Sequence, residues 1–199
     1  MLTPIPPRRR AFIASRYILL PLLLLQAAFA PLCSAGAGTE EVWVLVDTSR
    51  LTLTVKRGED TLKKYENIAI GSNGPTLAKR VNDETTPLGD FRVARINPKS
   101  RFRTFMGFDY PTMEHAKRAL ADGRLGPEEY LAINNAWLAK QPPPQDTTLG
   151  GYLGIHGLGV GDEKIHGRFN WTEGCIAVTN EQIDELAQWV GIGTLVSVR

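Results

Sequence analysis

The stretch that most constrains the fold is residues 41–58, in which apolar and polar side chains alternate. It reads "EVWVLVD" and "LTLTVKRG", joined by "TSR", and it is rich in Val, Thr and Trp. A period of two residues places successive side chains on opposite faces of a β-strand, whereas a helix requires a period near 3.6. The sequence therefore predicts a β-hairpin at this point.

More strand patterns follow along the chain. "KKYENIAIG" predicts a third strand and "GDFRVARIN", after the turn signal "TTPLG", a fourth. Strand patterns return in "GYLGIHG" and in the final "TLVSV", while "CIAV" is consistent with a buried strand or with a turn into the next helix. The predicted fold class is therefore mainly β.

Two helical segments interrupt this pattern. "TMEHAKRALADG" and "GPEEYLAINNAWLAKQ" have helical spacing, and "QPPPQ" ends the second of them. The predicted apolar positions are Met113, Ala116, Ala119, Leu120, Tyr130, Leu131, Trp137 and Leu138. "NEQIDELAQWVG" predicts a later amphipathic helix capped by Asn180. The segment 113–141 is thus an insertion, either a lid over a cleft or packing against the sheet edge.

The N-terminal residues have the order of a secretory signal peptide. Arginines precede the apolar "YILLPLLLLQAAFA", and small residues follow in "CSAGAG". The apolar run is shorter than the ~20 residues of a membrane-spanning helix and contains Pro21. We expect cleavage after Ala35, with Ala37 as the alternative site. Acylation of Cys33, as in a lipoprotein, is disfavoured because Pro and Leu precede it.

Export would change both the charge and the cysteine content. The full chain has a formal charge of +2, and residues 1–35 contain four arginines and no acidic residue, so removing them gives 2 − 4 = −2. A weakly acidic protein is not expected to bind nucleic acid through a basic surface. Of the two cysteines, only Cys175 would remain. A single thiol in an oxidising compartment suggests a reactive role or an intermolecular disulfide.

Three histidines are available as a base for such a thiol. His115 lies between charged residues and is predicted to be a surface residue. His156 ends an apolar run before Gly157, a position equally typical of a core histidine and of a site where the glycine leaves space for a substrate. His166 is predicted to be a loop residue near the site. Cys175 follows Gly174, which would let a substrate carbonyl approach, although buried cysteines are also common.

The spacing of these residues resembles a known signature. His156 is followed by fifteen residues and then by Thr172, Glu173, Gly174 and Cys175. This pattern is similar to that of the L,D-transpeptidase catalytic domain, the YkuD-type family, and "TTPLGDF" is similar to its Thr-Pro-x-Gly-aromatic segment. The resemblance implies a β-sandwich-like domain with inserted helices over residues 41–199, after a signal peptide (1–35) and a linker (36–40).

The resemblance also implies roles for individual residues. Cys175 would be the nucleophile and His156 its base, with an imidazolium lowering the pKa of the thiol and the Gly157 carbonyl orienting the ring. The amides of Gly174 and Cys175 would form the oxyanion hole, with Thr172 supporting the loop. Glu173, His166 and Arg168 are the predicted substrate-binding residues.

The sequence departs from the family pattern at two positions. Glu173 stands where many members have His, and Ala177 where many have Arg. If that Arg binds a substrate carboxylate, Arg168, Arg95 or Arg103 would have to replace it.

The expected substrates are peptidoglycan stem peptides, with an amine of a second stem or of an outer-membrane lipoprotein as acceptor. The second hypothesis is that the protein hydrolyses the same bonds. The third is that it is a peptidoglycan-binding module whose site is no longer catalytic. No cofactor is expected. A metal site built from His156, His166 and Cys175 with Asp162 or Glu163 lacks the paired spacing of zinc ligands.

Overall fold

A computed structural model of the chain describes residues 40–199. The predicted signal peptide, including Cys33, lies outside the described residues, as does the predicted linker apart from its last residue. Within residues 40–199, every helix is too short or too polar to cross a bilayer.

An eight-stranded sheet with the order β3-β2-β1-β10-β6-β7-β8-β9 forms the body of the described domain. Its strands are β1 (Val42–Asp47), β2 (Thr52–Arg57), β3 (Asp60–Glu66), β6 (Gly89–Ser100), β7 (Arg103–Phe108), β8 (Gly154–His156), β9 (Ile176–Ala177) and β10 (Leu195–Val198). Two further short strands, β4 (Pro75–Thr76) and β5 (Thr86–Pro87), pair in parallel outside this sheet. The predicted mainly β fold and its first hairpin, β1 with β2, are confirmed.

The sheet curls back on itself. Strand β6 pairs with β10 over residues 89–92 and with β7 from Val93 onward, so one long strand joins the two halves. After β3 the chain crosses to the other end of the strand order, where Ala69 and Ala177 exchange backbone hydrogen bonds of 2.9 and 2.8 Å. The apolar faces enclosed in this way form one core, which includes Val44, Leu53, Phe91, Met106, Ile155, Ile176 and Val196.

Four helices accompany the sheet in the described residues: α1 (Met113–Ala121), α2 (Pro127–Leu138), α3 (Glu163–His166) and α4 (Asn180–Leu186). The predicted helices correspond to α1, α2 and α4. The predicted cap of α4 is wrong by one position, because Thr179 accepts from Gln182 N at 3.2 Å and forms a capping box with that residue.

The structure also contains a strand that was not predicted, and it corrects the expected buried side of α2. Strand β7 was not predicted, because "RTFMGF" contains a glycine and lacks regular alternation. The buried side of α2 was assigned wrongly. Ile133 is its buried residue, whereas Leu131, Trp137 and Leu138 are 56%, 61% and 63% exposed. Since α2 packs against α1, a narrow contact suffices to hold it.

Truncating either side of α2 tests this assignment. We expect Ile133→Ala to lower the free energy of unfolding by about 2–5 kcal/mol, because it leaves a cavity in the core. The matched exposed variant, Leu131→Ala, should change it by less than about 0.5 kcal/mol. Urea unfolding followed by circular dichroism measures both, and a larger loss in Leu131→Ala would contradict the packing described.

Candidate active site

His156 is the last residue of β8 and is only 2% exposed. Its ring stacks on Phe102 with centroids 4.3 Å apart and meets Trp171 edge-on at 5.9 Å. The Nδ1 atom lies 2.6 Å from the Gly157 carbonyl oxygen. A carbonyl only accepts hydrogen bonds, so Nδ1 carries the proton and the neutral ring keeps its lone pair on Nε2.

Cys175 immediately precedes β9, which runs parallel to β8. The register pairs Ile155 with Ile176 and His156 with Ala177. Side chains alternate along a strand, so Cys175 and Ala177 share a face, and this face is also that of His156. The fold therefore brings the predicted nucleophile and base to neighbouring strands on one side of the sheet. The thiol of Cys175 lies 3.6 Å from the Tyr152 carbonyl oxygen.

Gly174 and Gly157 are required for packing rather than for substrate access, which corrects the reason expected from the sequence. At Gly174 the backbone has φ +129°, and a Cβ atom would lie 2.5 Å from the Thr85 carbonyl oxygen. At Gly157 a Cβ atom would lie 2.8 Å from Ile183. Neither glycine leaves open space, and each lets another element approach closely.

Two buried threonines fix the loop that carries Cys175. Thr172 donates to the Cys175 carbonyl at 2.6 Å and accepts from the Gly174 amide at 3.2 Å. Thr86, from the "TTPLGDF" segment, donates to the Gly174 carbonyl at 3.0 Å and accepts from the Gly71 amide at 2.8 Å. The upstream motif thus contacts the cysteine loop directly, although it lies far away in the sequence.

Asn180, the first residue of α4, fixes the chain on the other side of His156. Its side-chain oxygen accepts from the amides of Leu158 and Gly159 at 3.0 and 2.9 Å, and its nitrogen donates to the Gly159 carbonyl at 2.8 Å. The "TN" dipeptide after the cysteine block therefore has two structural tasks, since Thr179 caps α4 while Asn180 holds the loop that follows the histidine.

Cys175 and His156 both line a cavity of about 950 Å³. Thr172 and Glu173 line it too, whereas His166 and Arg168 are not among the described residues that form its wall. His166 is buried, and its Nδ1 accepts from the Trp171 indole at 3.4 Å. Of the arginines considered from the sequence, Arg95 lines the cavity, while Arg103 lies outside it and pairs with Asp184 at 2.6 Å.

Two cations of the cavity wall were missed from the sequence. Arg101 lies over the Phe102 ring at 4.6 Å. Lys79 is only 3% exposed, pairs with Asp83 at 2.6 Å and lies 3.5 Å from the Glu173 carbonyl. Its sequence signal was weak: an acidic residue four positions later is common on any surface, whereas a buried lysine is rare.

Burial keeps both candidate catalytic groups neutral. Desolvation lowers the pKa of His156, and this outweighs the Gly157 hydrogen bond, which raises it. Desolvation likewise raises the pKa of the half-buried Cys175 thiol to about 11, against the opposing effects of the Gly154 amide, Lys79 and Arg95. The expected imidazolium, which would lower the thiol pKa, is therefore not the resting state of this structure.

The remaining sequence expectations concern residues outside the cavity. His115 was predicted to be a surface residue, but it is half-buried, contacts Thr112 Oγ1 at 2.7 Å and the Leu88 carbonyl at 3.1 Å, and stacks on Phe91. None of the described residues 113–141 lines the cavity, which favours packing over a lid for the helical insertion. Within residues 40–199, no three His, Cys, Asp or Glu side chains are grouped as metal ligands would be.

Comparison with a family model assigns this domain. The model of the L,D-transpeptidase catalytic domain, YkuD, matches residues 41–198, which is most of the chain. The chain belongs to the L,D-transpeptidase catalytic domain family. No curated protein sequence is significantly similar to it.

Several solved structures are similar to this chain over about four fifths of its length. The helical cell shape determining protein Pgp2 from Campylobacter jejuni is 21% identical with a TM-score of 0.54, over 80% of this chain and 47% of that one. Bd1075 from Bdellovibrio bacteriovorus is 17% identical with a TM-score of 0.51, over 81% and 48%. An L,D-transpeptidase from Xylanimonas cellulosilytica is 16% identical with a TM-score of 0.46, over 82% and 62%. The chain spans about half the length of Pgp2 and Bd1075.

A methyl group at residue 174 tests the packing of the cysteine loop. We expect Gly174→Ala to lower the free energy of unfolding by about 1–3 kcal/mol, because alanine is strained at this φ and meets the Thr85 carbonyl. Gly191→Ala is the control, since a Cβ atom there meets nothing within 4 Å. Urea unfolding compares the two, and equal stabilities would show that the loop adapts without cost.

The protonation state of Cys175 is tested by alkylation. In a Cys33→Ser variant, the rate of reaction with iodoacetamide should keep rising with pH beyond 9, because the thiol has a pKa near 11. In urea, the alkylation rate of the same thiol should instead reach a plateau at pH values above its ordinary pKa of about 8.5. Intact-mass spectrometry gives both rates. A plateau below pH 7 in the folded protein would instead reveal a thiolate-imidazolium pair.

Proposed function

We propose that the protein is an exported cysteine acyltransferase that acts on peptidoglycan stem peptides. The observation that carries this proposal is the placement of Cys175 and His156 on one face of two paired strands, at the wall of a single large cavity, in a domain of the L,D-transpeptidase family. Membership of the family supports the class of reaction, and the geometry supports the choice of residues.

The first half of the reaction starts from a neutral Cys175 thiol and a neutral His156 ring. Cys175 attacks the carbonyl carbon of the third residue of a tetrapeptide stem while His156 Nε2 takes the thiol proton. The carbon-nitrogen bond to the terminal D-alanine then breaks, His156 returns the proton to the departing amine, and a thioester remains on Cys175. Since both groups start neutral, the proton moves as the carbon-sulfur bond forms, and no charge separation is needed before the substrate binds.

The oxyanion of the tetrahedral intermediate needs donors beside Cys175. Within residues 40–199, the Cys175 amide donates no hydrogen bond, so this group is available. The Gly174 amide is already bonded to Thr172 at 3.2 Å and would have to change partner. We therefore assign the Cys175 amide as the principal oxyanion donor.

In the second half of the reaction, an amine of another stem or of an outer-membrane lipoprotein attacks the thioester, which forms an amide and regenerates the thiol. Hydrolysis is the second candidate outcome, in which water attacks and leaves a tripeptide carboxylate. Ala177 is the reason for retaining it, because an alanine at this fully buried position offers no cation to a second peptide.

Turnover of purified tetrapeptide muropeptides tests the proposal. The protein should release D-alanine and form a thioester on Cys175 that intact-mass spectrometry detects. Cys175→Ala should abolish both, and His156→Ala should lower kcat by about 10²- to 10⁴-fold, the usual contribution of a general base.

Cys33→Ser is the matched cysteine control and should retain full turnover. Cross-linked dimers among the products would indicate transfer, and free tripeptide would indicate hydrolysis. Wild-type turnover in Cys175→Ala would refute the assignment of the nucleophile, and binding of sacculi without any turnover would favour a non-catalytic module.

A further inference from the structure

Arg95 projects from β6 into the cavity wall and is held there by aromatic rings. Its guanidinium carbon lies 5.5 Å from the centre of the Phe105 ring and 5.4 Å from that of the Tyr152 ring. Rings at these distances attract the guanidinium through cation–π contacts, and its N–H donors all lie within one plane. Arg95 is therefore oriented in the wall rather than freely mobile.

The charge of Arg95 has a neutral partner. Its Nη1 donates to the amide oxygen of Gln145 at 3.3 Å, and the same oxygen accepts from the Tyr152 amide at 2.8 Å. Of the other two cations in the cavity wall, Lys79 pairs with Asp83, whereas Arg101 lies over the Phe102 ring and makes no salt bridge within residues 40–199. A guanidinium has five donors, so Arg95 keeps both donors and charge for an anion.

The position of Arg95 relative to Cys175 is set by Tyr152. The ring of Tyr152 lies against Arg95, while its carbonyl oxygen is 3.6 Å from the Cys175 sulfur. A single residue thus separates the guanidinium from the nucleophile. The guanidinium and the thiol therefore belong to the same part of the cavity wall.

We propose that Arg95 is the residue that binds a carboxylate of the donor peptide and selects donors that carry it. The inference rests on the proposed function. In a stem that ends in D-alanine, the carboxylate has two possible sources, the side chain of a dicarboxylic third residue and the terminal carboxylate of the fourth. Both would be bound by the same bidentate, charge-assisted hydrogen bonds.

Three tetrapeptide donors distinguish these sources: one with both carboxylates free, one with the third-residue carboxylate amidated, and one with the terminal carboxylate amidated. We expect Arg95→Gln to lower kcat/KM on the free donor by about ten- to a hundredfold, mainly through KM, as loss of a charge-assisted bond does. On the donor that lacks the carboxylate bound by Arg95, the wild-type protein and the variant should be equal.

Two variants and a binding measurement complete the experiment. Arg95→Lys keeps the positive charge but not the planar guanidinium with its paired donors. Its kcat/KM on the free donor should therefore fall less than that of Arg95→Gln. Arg103→Gln, an arginine outside the cavity, should match the wild type on all donors. Calorimetry of the three donors with Cys175→Ala measures the same preference without catalysis and without a change at Arg95.

The outcomes separate this inference from the proposed function. If Arg95→Gln lowered kcat/KM equally on all three donors, or on none of them, the role of Arg95 would be overturned. Turnover by the wild-type protein would still support the proposed acyltransferase activity. Equal binding of the three donors to Cys175→Ala would overturn it as well. Absence of D-alanine release by the wild-type protein would instead refute the proposed function.

Discussion

The parallel pairing of β8 with β9 is the contact on which the candidate site depends. The two strands have three and two residues, so neither holds its position by its own ladder. Strand β8 is fixed on its other side by β7, and β9 by the segment around Ala69 that closes the sheet. The relative position of Cys175 and His156 therefore depends on the β8–β9 pairing and on the two neighbouring segments that hold this pair in place.

Burial decides the electrostatics of this pair. Phe102 and Trp171 remove His156 from water, and the cost of a buried cation lowers its pKa. Lys79 and Arg95 lower the pKa of the Cys175 thiol, but desolvation raises it by more, so the thiol stays protonated. A site that rests in the neutral form avoids holding a separated ion pair in a low-dielectric wall. In the proposed reaction, charge would develop only when the substrate is bound, where an oxyanion donor would stabilise it.

Local patterns predicted the first hairpin and the helices α1, α2 and α4, because alternation and helical spacing lie within short windows of sequence, but they missed β7 and α3. The candidate pair was predicted from the resemblance of the His-to-Cys interval to a family signature. What local patterns did not reveal was which side of α2 is buried, since that depends on α1. They also missed Lys79 and Arg101, whose importance comes from the cavity and not from their neighbours in the chain. The role of Gly174 was misjudged for the same reason, because Thr85, which requires the glycine, is almost ninety residues away.

The closure of the sheet also restricts which positions can carry a charged side chain into the cavity wall. Ala177 and Ala69 are fully buried partners at the point where the sheet ends meet, so a long charged side chain at position 177 would have to displace core packing. Strand β6 lies on the other side of β7 from β8, and Phe105 of β7 contacts both Arg95 and His156. The β6–β7 hairpin thus orients the base and the cavity cation together, whereas the nucleophile is held from the opposite end of the sheet. The position of the cavity cation and that of the base therefore depend on the same hairpin, because Phe105 contacts both.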